Sequence, residues 1–401
     1  MTTSASSRSD VLPPPSERYT LLGWFRKNLF GSWLDALLTL IALAFAVAIL
    51  VPTVRWATTS ARWEVIPNNV ELFMFGSYPR DQVWRLWLCL WLLALVTGML
   101  WGVYVRRRSF MSLFLIALPV LGMLFTFASG VWVHYAAMIV AGLAGWALAR
   151  WRPRLMSSVA LVGTLLFFPL VILIIRGFSE ESFLPGVATN LWGGLMLSLL
   201  ISVVGIVFSF PFGVLLALGR QSNLPAVRTL SILYIEIIRG VPLITLLFMG
   251  QVMLNFFLPS GIVVDRVIRA MVAVVMFAAA YLAENVRGGL QAIPKGQYEA
   301  ADAVGLSGFH KMTFIILPQA LRAVIPVLVG QFIGLFKDTT LVALVGLLDL
   351  LGIARGVLAN PAWIGTQLEV YLFLAFIYWI FSYAMSYASR RLEVALGVGE
   401  R

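Results

Sequence analysis

The chain has 401 residues, of which 61% are hydrophobic and only 12% charged, and its mean hydropathy is +0.93. Soluble domains carry about 25% charged residues, so a soluble enzyme, a disordered chain and a disulfide scaffold are excluded, and a polytopic membrane protein with spans of about 20 apolar residues remains. The net charge of +11 is read as a topology signal, because Lys and Arg are retained on the cytoplasmic side of a membrane.

In chain order, residues 1–33 are polar, include Pro13-Pro14-Pro15, and read as a mostly disordered cytoplasmic tail. The first apolar run starts too late and is too long for a cleaved signal peptide. Ten spans, some of the long ones with interfacial or broken helices, are expected near 34–53, 84–104, 110–128, 132–149, 156–175, 193–218, 230–257, 267–289, 322–350 and 369–389. With the N-terminus inside, nineteen of the 29 Lys and Arg fall on cytoplasmic segments and eight on outside segments. That bias predicts that both termini are cytoplasmic. The only cysteine, Cys89, allows no intrachain disulfide, and His134 and His310 are too few and too far apart for a structural zinc site.

The composition divides the chain near residue 180. Residues 34–176 form an N-terminal extension of five spans, 177–192 an outside connector, 193–390 five further spans, and 391–401 a second cytoplasmic tail. The second five hold nearly all the in-membrane charge and the longest cytoplasmic loop, 291–321, and so read as the working part. The two halves show no convincing repeat, which argues against an inverted-repeat secondary transporter.

The loop reads QAIPKGQYEAADAVGLSGFHKMTFIILPQAL. Glu299 to Ala303 is a strong helix former, Gly305 and Gly308 supply a turn, and Lys311 to Ile316 rises into an apolar stretch before Leu317-Pro318. On pattern alone this is a helix, a glycine turn and a short helix at the membrane surface, and an ordinary amphipathic connector fits equally well. The string Glu299-Ala300-Ala301, Gly305, Ile315, Leu317-Pro318, in its spacing, resembles the EAA loop of ABC-importer permeases. Three more segments are similar to polar-amino-acid permeases of that family: Glu236-Ile-Ile-Arg239-Gly-Val-Pro-Leu, Ala283-Glu284-Asn-Val-Arg287-Gly-Gly-Leu-Gln, and Lys337-Asp338-Thr339-Thr340-Leu. Val241 and Thr340 stand where the family usually has Thr and Ser. The resemblance covers about 190–390, and the five preceding spans resemble the larger, M-type permease of general L-amino-acid importers (the Aap/Bzt kind).

The resemblance implies an all-α polytopic fold of about ten transmembrane helices, the last five forming a type I ABC-importer permease core. It implies ATPase coupling through Glu299, Ala300, Ala301, Gly305, Leu317 and Pro318. Glu236 with Arg239 and Glu284 with Arg287 stand three apart, close enough to pair on a helix. They are read as structural ion pairs near cytoplasmic helix ends, with direct substrate contact the alternative for the first. Gly288-Gly289 is expected to let the chain leave the helix. Gln331, Lys337, Asp338, Thr339 and Thr340 are read as substrate pathway: in-membrane charge is costly and usually faces a cavity or a partner, and Lys337 and Asp338 suit the carboxylate and ammonium of a zwitterion. A self-satisfied Lys337–Asp338 pair that kinks the helix fits as well. Gln251 and Asn255 line the pathway or bond within the bundle.

No phosphate loop of the form GxxxxGK[ST] occurs. A transport subunit, not an enzyme, is therefore expected: no cofactor in this chain, and ATP-Mg in a partner ATPase. The other expected partners are a shorter second permease, a periplasmic amino-acid-binding protein, the L-amino-acid itself and membrane lipid, with no nucleic acid. The site is the bacterial inner membrane. An ion-coupled secondary transporter would act without an ATPase, and a membrane-embedded enzyme would need a catalytic cluster that the sequence does not offer.

Overall fold

A computed structural model describes residues 21–104, 130–179, 181–259, 262 and 264–395. The expected span at 110–128 lies outside them. The regular secondary structure of the described residues is helical, apart from two isolated β-bridges. Seven helices among them are long and apolar enough to cross a membrane, or nine if each of two bent pairs is one span.

The chain forms two compact units, Met1–Trp63 and Glu64–Arg401. In the first, α1 (Leu21–Leu29) precedes α2 (Trp33–Thr59). Ser32 caps α2 by accepting from the Asp35 amide, and no side chain of α2 is buried. That pattern suits a helix surrounded by lipid, whose backbone polar groups are satisfied internally.

The second unit opens with the short α3 (Val65–Asn68) and α4 (Val70–Phe75), then α5 (Trp84–Tyr104), α6 (Val131–Trp151) and α7 (Pro153–Arg176). α5 and α6 cross closely through small residues. A Cβ on Gly98 would meet the Gly142 carbonyl at 2.1 Å, and one on Gly145 the Leu95 carbonyl at 2.2 Å. This is how membrane helices gain van der Waals contact without a hydrophobic drive. α7 bends within its second half, after Thr164, where Pro169 offers no amide to the preceding turn.

The remaining helices are α8 (Gly194–Arg220), α9 (Pro225–Gly240), α10 (Leu243–Phe248), α11 (Leu254–Phe257), α12 (Arg266–Gln291), α13 (Lys295–Ala303), α14 (Gly308–His310), α15 (Leu317–Asp338), α16 (Leu350–Leu358) and α17 (Gln367–Ala395). One apolar core joins both halves of the unit: Cys89, Val171, Ile174 and Ile175 pack in the same cluster as Leu197, Ile201 and Val274. A second core holds the loop-side ends of α8, α9, α12 and α15 together with the loop.

Two sequence expectations need correction, and one long span is broken. Within 230–257 the chain turns through 104° between α9 and α10. Val241 is extended and Pro242 opens the next helix, as the steric clash of a proline ring with the preceding residue demands. The span at 322–350 starts earlier and ends earlier. α15 gives way to 3-10 turns at Thr339–Val345, Gly346 turns the chain at φ +78°, and Asp349 caps α16. Gly288-Gly289 does not end its helix, because α12 runs on to Gln291. Gly289 instead seats α15, since a Cβ there would meet the Ala320 carbonyl at 2.7 Å.

Candidate functional site

The loop folds as a capped unit. Pro294 precedes α13, and the helix ends in a Schellman turn: the Leu306 amide donates to Ala301 and the Gly305 amide to Asp302. Gly305 sits at φ +75° with open space around it. Glycine is therefore required there by backbone conformation and not by crowding. Lys311 closes the turn with an ion pair to Asp302 at 2.6 Å, and Ser307 caps the next turn by accepting from the His310 amide. A π turn, Lys311–Ile316, then absorbs Pro318, whose ring cannot share a regular turn with the carbonyl four residues back.

One side of this unit is fixed to the spans and the other is free. Ala301 and Ile316 are buried, Tyr298 donates to the Leu290 carbonyl, and Gln319 of α15 donates to Gln297 of α13. Leu317 packs on the second core and Pro318 is exposed. Glu299, Ala300 and Gly305 face outward, beside Val304 at 74% and Phe309 at 73% exposure. Sequence reasoning missed Val304 and Phe309. Their signal was two apolar residues flanking glycines in an otherwise polar loop.

Above the loop, five charged side chains meet. Glu284 accepts from Arg287 on its own helix and from Arg220 of α8 at 3.5 Å, and forms an ion pair with Arg239 of α9 at 3.7 Å. Arg220 also holds Glu236 at 2.9 Å. The Glu284–Arg287 pair forms as expected. Glu236 and Arg239 do not pair with each other; each reaches a different helix, through Arg220 and Glu284 respectively. Arg239 also lies 5.5 Å over the Tyr281 ring. The network thus ties α8, α9 and α12 together at the corner where α9 turns.

The residues of the expected pathway are spread over different environments. Gln331 accepts from Asn285 and donates to the Ala278 carbonyl, both at 2.8 Å, so it bridges α15 to α12. Thr339 is buried and donates to Phe336; Thr340 donates to Lys337. Lys337 is exposed and Asp338 half-buried, and neither forms an ion pair among the described residues. They stand at the last turn of α15, where the α-helix changes to 3-10. Gln251 donates to the Arg266 carbonyl, joining its π turn to α12. The side chain of Asn255 lies outside the described residues.

Residues 209–396 match the family described as the inner membrane component of binding-protein-dependent transport systems. The chain is 39% identical to the inner membrane amino-acid ABC transporter permease protein YhdY of Escherichia coli K12, over 94% of this chain and 93% of that one. The chain belongs to the amino-acid ABC transporter permeases. It is also 37% identical to the glutamate/glutamine/aspartate/asparagine permease BztC of Rhodobacter capsulatus, over 98% of both. A shorter relative, the probable glutamine permease GlnP of Bacillus subtilis, is 36% identical over 51% of this permease and 92% of its own length. A solved structure titled an amino acid ABC transporter with histidines is 28% identical, with TM-score 0.45, over 50% of this chain and 92% of that one. The permease is thus a multi-pass inner-membrane transport subunit and not an enzyme, and its family works with separate ATPase and binding-protein components.

Proposed function

We propose that this permease forms half of an alternating-access pathway for acidic and amide amino acids, with both termini cytoplasmic, and that residues 291–321 are its ATPase-coupling site. Residues 193–390 are the working core and 34–176 an extension, of which the part from Glu64 on braces it. Glu299, Ala300, Ala301 and Gly305 seat in a groove of the ATPase, and Leu317-Pro318 passes the movement to α15. The partner ATPase carries ATP-Mg, a shorter related permease supplies the other half, and a periplasmic binding protein delivers the cargo. Lys337 and Asp338 contact the carboxylate and ammonium of the passing amino acid. The lack of an ion-pair partner for either among the described residues supports that role, and the cargo class follows the name of the relative BztC. Gln331 and Thr340 would shape the same stretch, and Thr339 would hold it from behind.

The carrying observation is the loop's two-sidedness. Its base is packed into the core of four spans, while Val304 and Phe309 project as exposed apolar side chains from a rigidly capped turn. Exposed apolar residues grouped this way mark protein contacts. Phe309→Ser, an interface-anchor loss, should cut glutamate uptake in cells by about tenfold or more. The chain should stay at normal level in the membrane and co-purify with less ATPase. Normal uptake with normal ATPase recovery would remove the coupling assignment.

A further inference from the structure

A cavity of about 630 Å³ opens between α7 of the extension and α8 and α12 of the core. Its walls are bulky and apolar, with Phe208 and Phe212 on one side and Val272 and Val275 on the other. Phe212 and Val272 are half exposed, so the groove opens sideways, toward the bilayer. Each wall covers twelve residue steps, Val204 to Leu216 and Val267 to Ala279, about 18 Å of helix. One leaflet's hydrocarbon is about 15 Å deep.

The polar groups of the groove lie at its ends. At the inner end the Tyr234 hydroxyl is taken by the Met276 carbonyl at 3.0 Å. At the outer end Thr189 donates to Asp265, whose other oxygen accepts the Val267 and Ile268 amides. Two donors there remain. Arg176, the last residue of α7, forms no ion pair among the described residues, and the indole N–H of Trp192, itself 97% buried, has no acceptor. A buried tryptophan N–H normally finds a partner.

This chemistry selects the occupant. Water would find no polar partners along the walls. A zwitterionic amino acid would find no charges along them. A docking helix needs small residues for close approach, and this groove presents phenylalanine, methionine and branched side chains. We propose that it is a phospholipid site: one acyl chain lies along Phe208, Phe212 and Val272, and the phosphate or ester oxygens at its outer end accept from Arg176 and Trp192. The lipid would join the extension to the core.

The test is photocrosslinking of the full chain in nanodiscs, using a phospholipid with a diazirine in its acyl chain, followed by peptide mapping. Adducts should concentrate on Phe208–Leu216 and Val272–Ala279 relative to α2, which reports ordinary surrounding lipid. Ala279→Phe, which fills the groove, should bring that labelling down to the α2 level while α2 labelling is unchanged. Arg176→Gln should lower it about fivefold, and Trp192→Phe should lower it in the same direction. Equal labelling of groove and α2, or groove labelling that survives Ala279→Phe in a variant with normal α2 labelling, would overturn the proposal.

Discussion

Glu284 is the hub of the charged network beside the loop because three guanidiniums converge on it and its side chain is only 22% exposed. Removing a mostly buried acceptor strands its donors, which costs more than losing an exposed pair. Glu236 is 55% exposed and holds only Arg220, so its loss should cost under about 1 kcal/mol. Glu284→Gln should therefore lower the thermal midpoint of the detergent-purified permease clearly more than Glu236→Gln, by on the order of 2 kcal/mol in stability. Equal shifts for the two variants would show that the pairs act independently. The sequence revealed one of this network's four ion pairs. Spacing of three residues exposed Glu284–Arg287, since both lie on one helix. Arg220 stands 16 residues from Glu236 and 64 from Glu284, and no local pattern reports a contact made by three helices meeting. The same limit explains the misread Glu236–Arg239 pair, whose correct spacing was overruled by partners across the bundle.

Asp349 shows what a short element does to a titratable group. Its carboxylate caps α16 by accepting the Gly352 and Leu351 amides, at 2.9 and 3.3 Å, and is fully buried. Burial raises its pKa from 3.8 to about 6, against the pull of those two amides and Arg355. A raised carboxyl pKa means that the folded state binds the proton more tightly. The ionised form then costs stability at neutral pH, and that cost fades as pH falls through about 6 toward 3.8. Asp349→Asn keeps one oxygen for the Gly352 amide, gives up the longer bond from the Leu351 amide and removes the charge, so it should stabilise the permease at pH 8 by on the order of 1–2 kcal/mol. The advantage should shrink when thermal midpoints are compared at pH 4.5. An Asn variant less stable at pH 8, or a gap independent of pH, would show that the carboxylate is favourable where it lies. Hydropathy placed this residue inside a span, because one acid does little to the average of a long apolar run. The ending is set by Gly346 at positive φ and by the Asp349 cap, which are conformational signals. Pro242 ended another expected span in the same way, through backbone sterics that an apolar count does not register.

At the scale of the molecule, span positions were legible because the bilayer imposes one length and one composition on every crossing. The helix-turn-helix shape of residues 291–321 was legible because its glycine, proline and charged residues are local. How α5 to α7 pack on the later helices was not, since every apolar face reads alike. Composition divided the chain near residue 180, but the packing divides it near residue 63. α5 and α7 share their core with α8 and α12, through Cys89, Val171, Ile174 and Ile175 against Leu197, Ile201 and Val274. α2 contributes no buried side chain at all. Two protease sites separate these organisations. A site inserted at Ala61, cut after purification, should leave 64–401 monodisperse with an unchanged thermal midpoint, because no buried side chain of α2 is lost. A site in the 178–186 connector should yield two fragments that stay together through gel filtration, because the apolar core between α7 and α8 survives the cut. Fragments that part after the connector cut would mean that the extension is held to the core by the chain alone. In that case the groove between α7, α8 and α12 would lose its walls with the cut, and lipid labelling of the core helices should fall to the level of α2.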